Sequence, residues 1–401
     1  MRYLQALLLI FFPFILQAQS LVQGKVVNME TKAVLAGVSV FVDKTTYGTE
    51  TTEDGTFNLY NVRQGQYEVV VSMVGYETYT KTISVSGSEP LKLYIELLPK
   101  VSALKPVTVT AKGNWKNLYE LFVQDFLGNS DNARKTTILN PHVINLQYNK
   151  VKKVLTASSE EYLQIENKGL GYSYNILLKG FKSDHINNMM SCQGKVLYKE
   201  LAGDEVTKKR WIINREECYY GSTMHFFRAL CQDNLEANGF MVKRMFRRKN
   251  ELRPADSIIV TKIDHFVRNG HVINSDSLSY WNNLYDRSKY RDSVTRDSLP
   301  VDSLAKLTTT KGIFAGTFPK YMYVAYKKKG KHIPETGMYN DIFDHGNVDH
   351  YKISTITKLT PYIFFDTNGT ILNPLDVYVE GVWARDRIPE LLPVDYVPPA
   401  H

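Results

Sequence analysis

Residues 51–76, TTEDGTFNLYNVRQGQYEVVVSMVGY, decide the fold class. In the second half Tyr67, Val69, Val71 and Met73 alternate with Glu68, Val70 and Ser72, a period of two that predicts a strand with one buried face and one partly wet face. Asp54-Gly55 supplies a residue tolerant of positive φ where the chain must reverse, and Gly65 does the same before the long strand. Outward from this segment, residues 21–98 repeat the pattern in seven short runs: LVQGKVV, GVSVFV, GTETT, GTFNLY, GQYEVVVSMVGY, ETYTKTISV and LKLYIELL. Their β-branched and aromatic content and their turn residues predict a seven-stranded antiparallel sandwich.

Several of these motifs carry a resemblance. Gly24-Lys25-Val26-Val27, Gly37-Val38-Ser39-Val40, Thr52-Glu53-Asp54-Gly55-Thr56-Phe57, and Gly65-Gln66-Tyr67 closing on Val74-Gly75-Tyr76 resemble the carboxypeptidase-regulatory-like, or transthyretin-like, β-sandwich of exported Bacteroidetes-type proteins. The resemblance implies a non-catalytic module, found beside metallocarboxypeptidases, ahead of TonB-dependent outer-membrane receptors and in other surface proteins. LKPVTVTAK at 104–112 is similar to the segment that joins this module to a receptor plug. A plug and a many-stranded barrel do not fit in the remaining chain.

At 401 residues the chain exceeds one ordinary hydrophobic core, and 43% apolar residues provide for two. The first 20 residues, MRYLQALLLIFFPFILQAQS, place Arg2 before an apolar run and Ala18 after it, the pattern of a signal peptide too short to span a bilayer. Expected boundaries are therefore a leader over 1–18, the sandwich over 19–100, a linker over 101–112 and a second domain over 113–401. Nothing after the leader reads as a transmembrane helix, so peripheral membrane association is the most intimate one expected.

The net charge of +8 gathers in KKR (208–210), KRMFRRK (243–249) and YKKKGKH (326–332). An exported protein meets anionic headgroups and glycans with such clusters rather than nucleic acid, although solvated loops and strand ends explain each of them. Three cysteines, Cys192, Cys218 and Cys231, are an odd number. A Cys218–Cys231 bridge stays open beside the plainer reading of buried free thiols.

In the second domain, Trp115, Leu118, Phe122 and Phe126 fall at helical spacing between Asn114, read as an N-cap, and Gly128, read as the C′ residue. HVINLQY, KVLTAS, YLQIEN, GYSYNILLKGF, GKVLYKEL and RWIINREECYY then read as an antiparallel meander. Ser222 caps a second helix with Gly239 as its stop. SIIVTKID and HVINSDSL read as strands, and the polar 284–310 interval reads as a flexible insertion or surface helix. Asn368-Gly369 is the strongest hairpin signal of the C-terminal third. The fold class expected for the whole chain is mainly β with an α+β second domain. Asn140-Pro141, Asn167–Tyr172, Tyr220-Gly221-Ser222, Gly316-Thr317-Phe318, Asp366–Gly369 and Gly381–Ala384 through Tyr396 resemble a region that accompanies the sandwich in Bacteroidetes proteins. That resemblance transfers no activity to any residue.

Candidate chemistry is sparse. A zinc carboxypeptidase needs a His-x-x-Glu pair, a distant second His and a Glu base. The single His332-Ile333-Pro334-Glu335 stands too near the C-terminus to be followed by that domain. Asp344, His345, Asp349 and His350 crowd two carboxylates and two imidazoles together as a weak metal candidate, which a polar turn explains equally well. Cys218, His225 and Cys231 could be assembled into a site, but His225 and Cys231 fall on the apolar face of a helix and read as packing. No cofactor fingerprint and no catalytic motif is present. The sequence thus favours a non-catalytic envelope protein that binds or scaffolds, with a glycan or an envelope protein as partner, since 26 tyrosines and basic loops suit both. Two alternatives remain: a hydrolase with a dispersed site in 140–399, and an accessory to a TonB-dependent receptor.

Overall fold

A computed structural model describes residues 20–87, 89–100, 112–268, 271–327 and 351–399. The leader, nearly all of the linker, His332, Glu335 and the candidate ligands Asp344, His345, Asp349 and His350 lie outside the described residues. The chain divides into two compact units, one of residues 1–41 and 49–101, the other of 42–48 and 102–401.

The first unit carries seven strands: β1 (Ser20–Asn28), β2 (Ser39–Val42), β3 (Gly48–Glu50), β4 (Thr56–Val62), β5 (Gly65–Ser72), β6 (Tyr79–Val85) and β7 (Leu91–Leu97). They form a three-stranded sheet, β4-β1-β7, and a four-stranded sheet, β3-β2-β5-β6. Tyr67, Val69 and Val71 are buried as the alternation predicts, and Val70 on the other face is buried too. One pair departs from the antiparallel expectation, because β1 runs parallel to β7 from Val22↔Leu91 to Asn28↔Leu97. Gly24 allows β1 to lie this close to its neighbours: a Cβ there would sit 2.3 Å from the Leu93 carbonyl oxygen and 2.7 Å from the Phe57 ring. At the β3–β4 turn, Gly55 has φ +76°. Asp54 Oδ1 accepts from the Thr52 hydroxyl at 2.5 Å and the Thr56 hydroxyl at 2.8 Å, which holds its pKa down at about 2.

The second unit opens with α1 (Lys112–Leu127), which begins before Asn114, so that residue is inside the helix and not its cap. Phe122 and Phe126 are fully buried, stacked at 4.8 Å and met edge-on by Phe181. Such burial stabilises by ~1.5–3 kcal/mol per ring. Gly128 ends the helix at φ +78° with its N–H on the Gln124 carbonyl. The short α2 (Asp131–Arg134) follows.

Next come β8 (Thr136–Ile138), β9 (Ile144–Asn149), β10 (Val154–Ser159), β11 (Leu163–Asn167), β12 (Tyr172–Asp184) and β13 (Met189–Glu200), an antiparallel sheet as expected. β12 is long enough that β11 pairs with its first half and β10 with its second, while β13 covers its other edge.

The meander stops earlier than its alternation implies. RWIINREECYY belongs to the helix α3 (Glu205–Tyr219), capped by Asp204, which accepts the Thr207 N–H at 2.7 Å. Of that helix only Trp211 and Tyr219 are buried, and Trp211 Nε1 donates to the Lys168 carbonyl at 2.9 Å. The β-branched pair Ile212-Ile213 faces water, so its strand propensity decides nothing. α4 (Thr223–Cys231) is capped by Ser222 as expected but ends at Cys231, well before Gly239, which has φ +81° at the entrance to β14 (Phe240–Lys249).

SIIVTKID is α5 (Asp256–Phe266), and β15 (Val267–Arg268) and β16 (His271–Val272) form a two-stranded pair. Most of INSDSL belongs to α6 (Ser275–Asp286), capped by Asn274. Much of 284–310, expected as a flexible insertion, is paired structure: β17 (Tyr290–Ser298) joins β14. The physical reason is Arg247 of β14, whose buried guanidinium holds Asp292 at 2.7 Å and Glu380 at 2.6 Å and so anchors a strand with few apolar side chains. β18 (Ala305–Leu307), β19 (Ile313–Gly316) and β22 (Ile363–Asp366) form a three-stranded sheet; β20 (Tyr321–Lys327), β21 (Tyr351–Lys358) and β23 (Val377–Gly381) complete the β17-β14-β20-β21-β23 sheet. At the expected Asn368-Gly369 hairpin, Gly369 has φ +79° and Asp366 accepts the Asn368 and Thr370 N–H groups, but the returning arm is a single bridge, Phe365↔Ile371. Helices α1 and α4 supply the apolar faces of two cores, Phe122 and Phe126 in one and Phe226 and Phe227 in the other.

Candidate functional site

A polar cleft of about 330 Å³ opens in the second unit, built from four separated stretches of chain. Its size falls in the ~300–1,000 Å³ range of small-molecule sites. The start of α2 brings Ser130, Asp131 and Asn132; the end of α3 and the turn after it bring Asn214, Glu217, Cys218, Gly221 and Ser222. β21 brings Lys352, and the segment after β23 brings Val382, Asp386 and Glu390.

Local structure explains each placement. Gly221 has φ +82°, and a Cβ there would lie 2.5 Å from the Tyr326 ring, so glycine alone makes the α3–α4 turn cheaply. Its N–H donates to His225 Nδ1 and its carbonyl accepts from Trp383 Nε1. Lys352 Nζ donates to the Tyr220 carbonyl at 2.8 Å and the Glu217 carbonyl at 3.2 Å, closing the end of α3. Glu390 accepts the Ser130 hydroxyl and the Arg387 N–H, while Ser130 Oγ accepts the Ala133 N–H as the α2 cap. Arg387 donates to the carbonyls of Asp125 and Ala384.

Asp386 stands apart from this network. No described group donates a hydrogen bond to its carboxylate, and burial pushes its pKa up to about 7 against the pull of the nearby Lys352 ammonium. Burial raises Glu390 as well. The Cys218 thiol is pushed up to about 12 by burial and by its acidic neighbours, and it accepts from Asn132 Nδ2 at 3.4 Å; it is a protonated wall of the cleft.

The trio Cys218, His225 and Cys231 does not converge on a reactive centre. All three cysteines are free thiols, so Cys218 and Cys231 are not bridged. His225 is buried with both ring nitrogens engaged, Nδ1 by Gly221 and Nε2 by Asn238 Oδ1 at 3.1 Å, and burial lowers its pKa to about 4. Cys231 Sγ donates to the Asp366 carbonyl. Among the described residues no group of three or more His, Cys, Asp and Glu is arranged to hold a metal ion.

Of the basic clusters, KKR lies on α3 and KRMFRRK on β14, where Arg244 lies 4.9 Å from the Phe246 ring centre and Arg247 is spent on its two carboxylates. Sequence reasoning missed Asn132, Asn214, Lys352, Asp386 and Glu390. They come from distant segments with no common spacing, and only the charged run Arg385-Asp386-Arg387 marked the place.

No helix among the described residues is long and apolar enough to cross a membrane. No curated protein matches the chain. Among solved structures, a type II cohesin–X-dockerin complex of Acetivibrio cellulolyticus aligns at 27% identity and TM-score 0.17, covering 20% of this chain and 56% of that one. A candidate carbohydrate-binding protein of Pseudomonas aeruginosa aligns at 14% identity and TM-score 0.16, over 20% of this chain and 88% of its own. Another from Bacteroides uniformis aligns at 7% identity and TM-score 0.18, over 87% of this chain and 99% of its own. The matched part thus spans about half of the cohesin–dockerin chain. Residues 22–109 match the family model of the CarboxypepD_reg-like domain, the module that the glycine-centred motifs of the sandwich indicate.

Proposed function

We propose that this is an exported envelope protein that binds without catalysing: the sandwich acts as a mechanical module and the second unit recognises a small polar ligand of glycan type. The observation that carries the reading is the convergence of Asn132, Asn214, Ser222, Asp386 and Glu390 on one concave surface. Amides, hydroxyls and carboxylates presented together are the groups that read a polyol by hydrogen bonds. The cleft lining has no aromatic ring, so the sugar stacking expected from the tyrosine content has no support there. The test is capture of glycans and proteins from an envelope extract by the mature protein. Retention of a defined glycan, lost in Asn132→Ala, supports the reading; retention of neither a glycan nor a protein overturns it.

A second reading has one observation in its favour. A carboxyl near neutrality in a concave polar site is what a dispersed hydrolase would use as general acid or base. Chromogenic glycosides and esters distinguish the two readings. Turnover that disappears in Asp386→Asn supports hydrolysis, and a chain inert toward both favours binding.

A further inference from the structure

We infer that the cleft selects a ligand carrying a primary ammonium group, seated on Asp386. This rests on the binding reading above and names the ligand class.

Asp386 is a half-buried carboxyl in the cleft lining to which no described group donates. Glu390 is occupied by Ser130 and the Arg387 N–H. Lys352 is the cation nearest in effect to Asp386, and its ammonium donates to the carbonyls of Tyr220 and Glu217. Arg387 likewise spends its guanidinium on two carbonyls. The half-buried carboxylate of Asp386 lines the cleft with no protein donor on it, so a ligand that enters can supply one.

Charge points the same way. The lining holds four carboxylates, Asp131, Glu217, Asp386 and Glu390, against the two amines of Lys135 and Lys352. Once Asp386 is ionised, an anionic ligand would meet a net negative wall, and a neutral polyol would leave Asp386 with a hydroxyl partner only. An ammonium supplies three donors and the compensating charge in one group. Amino sugars and ethanolamine-type headgroups share that chemistry.

The proposal also fixes a proton balance. Burial holds Asp386 near neutrality, so an arriving cation displaces a proton from it, and affinity rises with pH until Asp386 is ionised in the free protein. The other charged groups that act on this carboxyl are Lys352, Glu390 and Arg387, with protonated Cys218 beside them.

The experiment titrates the mature protein by NMR with glucosamine, N-acetylglucosamine, ethanolamine and ethylene glycol. Expected is binding of each ammonium probe at least about tenfold tighter than its uncharged counterpart, which is about 1.4 kcal/mol. The ethanolamine preference should grow from about pH 5.5 to about pH 8 and vanish in Asp386→Asn. If glucosamine is the tighter ammonium the source is an amino sugar; if ethanolamine, a headgroup; either supports the proposal. Equal binding of N-acetylglucosamine and glucosamine overturns the ammonium requirement while leaving glycan recognition standing. Binding that is unchanged in Asp386→Asn, or no binding by any probe, also overturns it. A thermal melt of the variant at each pH confirms that the loss is not unfolding.

Discussion

The indole Nε1 of Trp383 donates to the carbonyl oxygen of Gly221 at 2.7 Å, tying the segment that carries Asp386 to the turn that carries Ser222. Trp383 is itself buried, and its backbone N–H rests on Ser354 Oγ at 3.1 Å. The indole donor is thereby one of the buried anchors of this wall of the cleft.

Replacing Trp383 with Phe keeps an aromatic ring and removes that donor, leaving a buried carbonyl unsatisfied. The expected loss is about 1–3 kcal/mol in a urea melt. Ligand affinity should fall further than the melt alone accounts for.

His225 gives the protein a pH-dependent stability with a defined sign. Its folded pKa of about 4 lies below the unfolded value of 6.5, so the unfolded chain takes up a proton first as pH falls. Stability from this residue is complete above the unfolded pKa, drains away between the two values and is flat below the lower one. The amplitude is on the order of 3 kcal/mol. Denaturant melts across that window should show the slope, and His225→Gln should lack this part of it.

Asp386 has the opposite behaviour. Its folded pKa of about 7 lies above the ordinary carboxyl value of 3.8, so the folded state holds the proton longer and loses relative stability as pH rises between them. Asp386→Asn should leave the melting temperature unchanged at low pH and raise it at about pH 8. A variant less stable than the parent at the higher pH would contradict this.

Arg247 should be among the costliest positions to alter. It is buried between Asp292 and Glu380, and the Asp292 side chain is only 3% exposed. Arg247→Met strands buried negative charge, with an expected loss of about 3–5 kcal/mol. Detachment of β17 should be visible as faster amide exchange over residues 290–298.

The sandwich was readable because its signals are local. The period of two in β5 and the turn chemistry of Asp54-Gly55 each need only a few neighbours. β17 was not readable, since the side chain that holds it, Arg247, lies far away in sequence and meets Asp292 only once the sheet has formed. Helices α3 and α5 were hidden by β-branched residues, Ile212-Ile213 in one and Ile258-Ile259-Val260 in the other; tertiary anchors such as Trp211 override such propensity. The cleft was the least legible part. Asn132, Lys352 and Asp386 meet only after two helices, a strand and a turn have been positioned.

The parallel pairing of β1 with β7 has a mechanical corollary. The chain enters the sandwich at the start of one strand and leaves at the far end of the other, so tension applied across the module pulls the two in opposite directions along their length. The rungs from Val22↔Leu91 to Asn28↔Leu97 then share the load at once in shear, where an antiparallel pair pulled from one end would open rung by rung. A sandwich with that geometry yields late and abruptly under force.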